Sequence, residues 1–321
     1  MHRAARPRYL NDSAVTASTH TSYRRAFSAF LAWAQSTDLQ LTSARAIDRA
    51  LSDYAHDLYA RGRPRSQLAS TVFGLKFFWP QYRGPGRFPS AEQALRGWSK
   101  REPSASYPPL SWDAALLIAF YMLRHYGAVR EATAVLLAFD CYTRVSELLA
   151  IRACDVALPS DARLGSSVLH GAGIRLPRTK TGSNQFVRPR KPVVLYLLAK
   201  VLAASQPTSR LFPFSAGYFR AFFRSVCHQL HLDPAYTLHS LRHGGATHDS
   251  LCGEPPEFIM VQGRWASVKS LRRYLQLGRA LLLAHDLPAH LLPAARSYAR
   301  HPVRAMRLAF RLWRRALRED G

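Results

Sequence analysis

Two runs in the last third of the chain decide how it reads: TLHSLRHGGAT, Thr237–Thr247, and GRWASVKSLRRY, Gly263–Tyr274. In fewer than forty residues they place His239, Arg242, His243, Trp265 and Tyr274. All are types that grip or attack a phosphate. Guanidinium forks bind phosphate oxygens two at a time, imidazole and indole N–H groups donate single hydrogen bonds, and a phenol oxygen can act as a nucleophile. Such groups form a site only with parts that other segments bring to them.

Working outward, Arg144 lies in TRVSELLAIRACDV, 143–156, and Lys180 in RTKTG, 178–182. Residues Gly173 to Arg178 alternate in polarity, Gly182-Ser183-Asn184 supplies turn chemistry, and Gln185 to Arg188 can run back antiparallel. A small β-hairpin with Lys180 at its tip is the expectation. Helical spacing dominates the remainder: Tyr23, Phe27, Phe30 and Ala34, then Ile47, Leu51, Tyr54 and Leu58, then Leu68, Val72, Leu75 and Trp79. Ser90 with Gln93 reads as a capping-box start to a fourth short helix carrying Leu95 and Trp98. Later helices are predicted from Ser111 to about Tyr126, from Val129 through Ala138, from Val193 to Ala204, and from Ala216 to Leu230.

A length of 321 residues predicts two domains, and 48% hydrophobic residues are enough for packed cores. The run REPSASYPPL, 101–110, has linker composition. The expected layout is a basic lead at 1–11, a helical domain at 12–100, a linker at 101–110, an α+β domain at 111–289 and a basic amphipathic tail at 290–321. That tail carries eight Arg, with Met306, Phe310, Trp313 and Leu317 on one helical face, so it suits DNA, an anionic membrane surface or a partner's groove.

Charge narrows the function classes. Forty-five basic against 20 acidic residues leave +25, with a sequence pI near 10.8, which points to a polyanion. Only six of the basic residues are Lys, so the excess is Arg, the better phosphate ligand; a bias toward Arg in the composition is the alternative source. Cys141, Cys154, Cys227 and Cys252 show no CxxC pairing and read as reduced, intracellular thiols. No apolar run approaches the ~20 residues that span a bilayer, and MHRAARPRYL lacks a signal-peptide core. A soluble intracellular protein is expected, nuclear if its source is eukaryotic and cytoplasmic otherwise, with no membrane partner.

Taken in order, Arg144, Lys180, His239, Arg242, Trp265 and Tyr274 resemble the tyrosine recombinase, or phage integrase, family in spacing as well as type. THTSYRRAFSAFLAWAQ and SQLASTVFGLKFFW are similar to helices of that family's N-terminal SAM-like domain, so the resemblance covers about 12–289. It implies a mainly α fold, with a SAM-like helical bundle followed by an α+β catalytic domain that holds a small antiparallel sheet. It also implies DNA cleavage through a 3′-phosphotyrosyl intermediate with a 5′-hydroxyl leaving group, and needs neither metal nor ATP.

The chemistry accounts for the residue types. Arg144 and Arg242 match the charge that builds on a five-coordinate phosphorus, and neither loses its proton at working pH. By the resemblance, Tyr274 is the nucleophile, Lys180 protonates the leaving oxygen, and His239 and Trp265 hydrogen-bond the scissile phosphate, with His239 also able to carry a proton. Most bacterial and phage members have Gly-His where this chain has Gly-Arg-Trp, and Trp265 donates one N–H but carries no proton. The GRW form resembles recombinases of eukaryotic mobile elements, of crypton or DIRS-like type. Taken singly, each of these side chains is as readily a core or surface residue. Glu147 is expected to orient Arg144 or complete a helix turn. His239, His243 and His248 with Cys252 have partial zinc spacing but no second ligand pair, so no metal is assigned.

The implied partner is double-stranded DNA, gripped through phosphate contacts, with Arg61, Arg63, Arg65, Lys76 and Arg178 as candidate contacts. The resemblance further implies a tetramer on synapsed sites, with 275–321 docking on a neighbouring copy. Two other readings stay open: a domesticated DNA-binding protein that does not cut, and a type IB topoisomerase-like enzyme.

Overall fold

The computed structural model describes residues 9–103, 107–159, 161, 171–179, 182–283 and 287–319. The chain divides into two compact units, Met1–Ala105 and Ser106–Gly321.

The first unit is helical: α1 (Tyr9–Asp12), α2 (Ala17–Ser36), α3 (Ala44–Ala60), α4 (Arg65–Phe78) and α5 (Pro89–Arg101). Thr16 and Ser43 start α2 and α3 by accepting from Thr19 N–H and Ala46 N–H, which satisfies donors the first turn leaves free. The 3.6-residue spacing buries Phe30, Ile47, Leu51, Leu68 and Leu75 in one core with Phe88. The expected capping box of α5 does not form. Proline at the start of the helix moves its first turn to Pro89, ahead of Ser90. Asp48 of α3 caps it instead, accepting from Ser90 N–H at 3.1 Å and Ala91 N–H at 3.0 Å. A tertiary carboxylate does what a local hydroxyl was expected to do.

The second unit is built round α6 (Trp112–Tyr126), capped by Ser111 and closed by Gly127 in the left-handed region at φ 59°. Residues Ala114 through Ala119, Met122 and Leu123 are all buried, because neighbours cover α6 on every side. Those neighbours include α7 (Val129–Asp140), α10 (Ala216–Gln229), α11 (Leu238–Leu251), α15 (Leu292–Arg300) and α16 (Pro302–Glu319). The single turn α8 (Val145–Leu148) leads into a three-stranded antiparallel sheet in the order β1 (Val156–Ala157), β2 (Gly173–Thr179), β3 (Gly182–Val187). Ile174 pairs with both Val156 and Val187, and the strand period buries Ile174 and Leu176 while Arg175 points out to ion-pair with Asp155. Helix α9 (Pro192–Ala203) follows; after α11 come α12 (Pro256–Gly263), α13 (Val268–Arg272) and α14 (Leu277–Leu283).

Three expectations are corrected. Gly182-Ser183-Asn184 is not the turn: Gly182 already pairs with Thr179, so β3 starts there, and residues 180–181, with the expected tip at Lys180, lie outside the described residues. The end of the expected linker belongs to the second unit, since Pro108, Pro109 and Leu110 are buried and Leu110 N–H donates to Ser240 C=O at 3.1 Å. The C-terminal segment packs on its own domain. Ala295, Ala305, Met306 and Ala309 join the main core, Phe310 lies against it, and the Trp313 ring sits over Gly127. Burying the Met306 side chain alone is worth about 1.5–3 kcal/mol, so its apolar face has a use within the chain.

Candidate active site

The geometry of the site starts at Arg144, the N-cap of α8, whose extended backbone turns the chain into the helix. Glu147, three residues on, reaches back and accepts from Arg144 N–H at 2.9 Å and from its Nη1 at 2.5 Å. The same carboxylate accepts from Nη2 of Arg264 at 2.7 Å. Glu147 is 1% exposed and so serves two cations from inside the protein. Burial raises its pKa, but Arg264 and the Arg144 donors outweigh that and hold it below the usual carboxylate range. The orienting role expected of Glu147 is what this geometry provides.

Helix α11 brings the next groups. Thr237 caps it by accepting from His239 N–H at 3.2 Å, and the i, i+3, i+4 spacing puts His239, Arg242 and His243 on one face. The glycines that follow permit this face to sit deep in the unit. A Cβ on Gly244 would lie 2.0 Å from the Leu110 carbonyl oxygen, and one on Gly245 would lie 2.0 Å from that of Phe139. Only glycine lets α11 approach so closely.

Arg242 is wholly buried. It donates through Nη1 to Tyr142 C=O and through Nη2 to Gly263 C=O at 2.7 Å, and its Nε has no partner. Its guanidinium carbon lies 4.4 Å from the Trp265 ring centroid and 5.1 Å from that of Tyr274. Burial lowers its pKa, helped by Arg144 and Arg264, to about 10, which still leaves it charged at neutral pH. Trp265 is buried with its Nε1–H unpartnered. A buried, unspent donor of this kind is costly unless a ligand uses it.

Tyr274 follows α13, whose Ser267 cap accepts from Ser270 N–H at 3.2 Å. Its ring packs 4.6 Å from His243, 4.8 Å from Trp265 and 5.8 Å from His239, centroid to centroid. Thr247 Oγ1 donates to its carbonyl oxygen at 3.1 Å. Gln276 Nε2 spans the gap between the Tyr107 carbonyl and His243 Nδ1, each at 3.0 Å. That donation fixes Nδ1 as an acceptor. Burial together with His239 brings the His243 pKa down to about 4, and burial together with Arg242 and Arg144 lowers that of His239. Both rings are neutral at pH 7.

A polar brace lies behind these groups. Tyr142, held at φ 48°, donates to Asp249; Arg190 bonds Asp249 and Glu254; Asp140 accepts from Arg190 N–H at 2.7 Å and Lys191 N–H at 3.1 Å. It ties the ends of α7, α9 and α11 together, and through Tyr142 C=O it carries Arg242.

Of the residues picked from sequence, His239, Arg242, Trp265 and Tyr274 therefore form one packed cluster. Arg144 shares with His239 a cleft of ≈ 690 Å³. Lys180 lies outside the described residues, as does the side chain of Arg178. Among the candidate DNA-binding residues of the first unit, Arg61 pairs with Asp57, Arg63 is exposed, and Arg65 donates to Ser99 Oγ at 2.8 Å. Lys76 is mostly buried in an ion pair with Glu92 at 3.0 Å. Sequence reading missed Arg264, Gln276 and Tyr107, along with Arg220 and Arg224, which line the same cleft on α10. The two α10 arginines, four residues apart, were the visible signal. Gln276 and Tyr107 had none.

His248 packs against Trp112 and Phe139, with Cys252 Sγ 3.7 Å from its Nε2. Among the described residues no group of three or more His, Cys, Asp or Glu is placed to hold a metal ion, and no helix is long and apolar enough to cross a membrane.

No protein-family model and no curated protein matches this sequence. Solved structures do match. The Tn1549 transposon integrase in complex with transposon right end DNA aligns with a TM-score of 0.59 at 13% identity, over 84% of this chain and 94% of that one. A lambda integrase dimer bound to a COC′ core site gives 0.55 at 14% identity, over 84% and 74%. The XerH site-specific recombinase bound to palindromic difH substrate gives 0.53 at 13% identity, over 88% and 80%. Mainly helical, with its small antiparallel sheet, the chain has the tyrosine recombinase fold.

Proposed function

We propose that this chain is a site-specific DNA recombinase that cleaves and rejoins duplex DNA through a phosphotyrosyl bond on Tyr274. The observation that carries the reading is the packing of the Tyr274 ring against Arg242, Trp265 and His243. A merely structural tyrosine has no need of a buried cation at its face and an unspent indole N–H beside it.

In the proposed step the Tyr274 oxygen attacks phosphorus and the bond to the 5′ oxygen breaks. The phenol proton leaves to water or neutral His239, and the 5′ oxygen takes a proton from Lys180. Arg144 and Arg242 balance the added charge, and Trp265 Nε1–H donates to a non-bridging oxygen. Because the phosphoester energy is kept in the tyrosyl bond, resealing needs no metal and no ATP. The first unit is read as the SAM-like DNA-binding domain and the second as catalytic. An origin in a mobile element rests on the GRW form and the likeness to a transposon integrase, and tetramers on paired DNA sites rest on the family resemblance.

A DNA-binding protein that does not cut is favoured by one feature: Arg242 is fully buried, with two N–H groups held by carbonyls. Cleavage requires DNA to draw at least its free Nε–H toward phosphate. Incubation with nicked duplexes separates the readings. The recombinase forms a covalent protein–DNA complex that survives denaturation, persists with a chelator and disappears in Tyr274→Phe. Wild-type protein that binds duplex and never forms an adduct belongs to the non-cutting reading.

A further inference from the structure

Helix α16 has two faces with separate fates. Most of its apolar face, up to Trp313, is spent inside the chain: Ala305, Met306 and Ala309 are buried and Trp313 covers Gly127. A membrane-surface helix or a helix seated in a partner's groove needs that face free. What remains outward is mainly cationic, with Leu308 and Leu317 exposed among the arginines. Arg304, Arg307, Arg311, Arg314 and Arg318 are all exposed and follow one another at intervals of 3, 4, 3 and 4, which aligns them in a single stripe of about 21 Å.

Arg304, Arg307, Arg311 and Arg314 of the stripe form one wall of a cleft of ≈ 1350 Å³. The opposite wall carries Tyr196 and Lys200 of α9 and Arg130 of α7. Lys200 stands 5.1 Å from the Tyr196 ring centroid and 5.3 Å from that of Phe310, and Arg307 stands 5.3 Å from Tyr196. Among the described residues that line the cleft, Glu131 is the one carboxylate. Arg315 does pair with Glu319, at 2.7 Å, but lies off the stripe. So many cations held at fixed spacing on a rigid helix, with aromatic faces between them, are a repulsive arrangement unless a polyanion neutralises them.

The position of the cleft separates it from the catalytic cluster. Gly127 and Val129, in its wall, stand at the start of α7, whereas Phe139, about 15 Å along α7 in its last turn, and Tyr142, just past its end, touch the catalytic helix α11. We infer that the α16 stripe is a second DNA-binding surface, which grips the phosphate backbone of a duplex segment other than the one presented to Tyr274. Such a surface reads charge and spacing, so the grip is independent of base sequence.

The test uses the full chain and a labelled duplex of arbitrary sequence. Binding is followed by fluorescence anisotropy over a range of salt for wild type, for Arg304→Gln/Arg307→Gln/Arg311→Gln/Arg314→Gln, and for the same four positions changed to Lys. All four side chains are exposed, so far-UV circular dichroism and melting should match wild type. In the Gln variant the dependence of log Kd on log salt should fall by about 0.9 for each phosphate no longer neutralised, about 3 to 4 in all. The Lys variant should keep the wild-type slope. An unchanged slope in the Gln variant overturns the inference, as does an equal fall with Lys. Tighter binding of wild type to phosphatidylserine vesicles than to the duplex overturns it in favour of a lipid surface. Covalent-adduct formation on a short nicked duplex is read in parallel, so failure of the recombinase reading and failure of this one are told apart.

Discussion

Changing Glu147 to Gln removes one unit of charge from the point where three donors meet. The wild-type carboxylate accepts from Arg144 N–H at 2.9 Å, Arg144 Nη1 at 2.5 Å and Arg264 Nη2 at 2.7 Å. The amide keeps one acceptor oxygen, so it can satisfy one of the two guanidinium groups. Arg264, with its side chain 4% exposed, is then a buried cation left with only carbonyl acceptors, Gln262 C=O at 2.9 Å and Tyr142 C=O at 3.5 Å. Breaking a buried pair in this way costs about 3–5 kcal/mol. The retained amide oxygen favours the lower end, about 3 kcal/mol. For a unit the size of Ser106–Gly321, at about 2–4 °C per kcal/mol, the melting temperature should drop by about 6–12 °C.

The acid side of the profile gives a second, independent readout. The folded pKa of Glu147 lies below its unfolded value, so its contribution is complete above the ordinary carboxylate pKa and is lost as pH falls through the folded one. The gap between wild type and variant, measured by calorimetry, should be full at neutral pH and close in acid. Equal melting at neutral pH, or a gap that persists undiminished below the carboxylate range, would refute the claim that Glu147 is an ionised brace for both arginines.

Other substitutions probe the remaining parts. Trp265→Phe keeps the ring against Arg242 and Tyr274 but deletes the unspent Nε1–H, so covalent-complex formation should slow by about 10²-fold with little change in melting. Gly245→Ala puts a Cβ 2.0 Å from the Phe139 carbonyl oxygen and should destabilise the second unit by about 1–3 kcal/mol or more in urea titrations. His243 has a folded pKa of about 4, below its unfolded value. The unfolded chain therefore takes up the proton first, and wild-type stability should decline as pH falls from the ordinary histidine range toward 4. His243→Gln should flatten that decline in urea titrations run across the same pH range.

Much of this was legible in the sequence, for identifiable reasons. Apolar residues at helical spacing placed the helices of both units, and Ser111 marked the start of α6 to the residue. The candidate site residues stood out by order and spacing, not by type: Arg144, Arg242, Trp265 and Tyr274 are ordinary singly but hard to explain as packing when they occur as a set. What stayed hidden depends on segments distant in sequence meeting in space. Asp48 caps a helix some forty residues away, and no local pattern announces it. Arg264 was visible in GRW, but its partner lies 117 residues upstream, so only the folded chain shows that Glu147 serves two cations. Tyr107 reads as linker in the sequence, whereas in the fold its carbonyl holds Gln276. The amphipathic pattern of α16 was plain, but sequence does not say which partner covers an apolar stripe, and here it is the chain's own α6.

The central claim concerns one bond. The covalent complex trapped on a nicked duplex should be digested and its DNA-bearing peptide sequenced by mass spectrometry, with the free DNA end tested for phosphorylation by kinase. The account predicts a 3′-phosphate esterified to Tyr274 and a 5′-hydroxyl that the kinase can label. Attachment at any other residue, or through a 5′-phosphate, would contradict it.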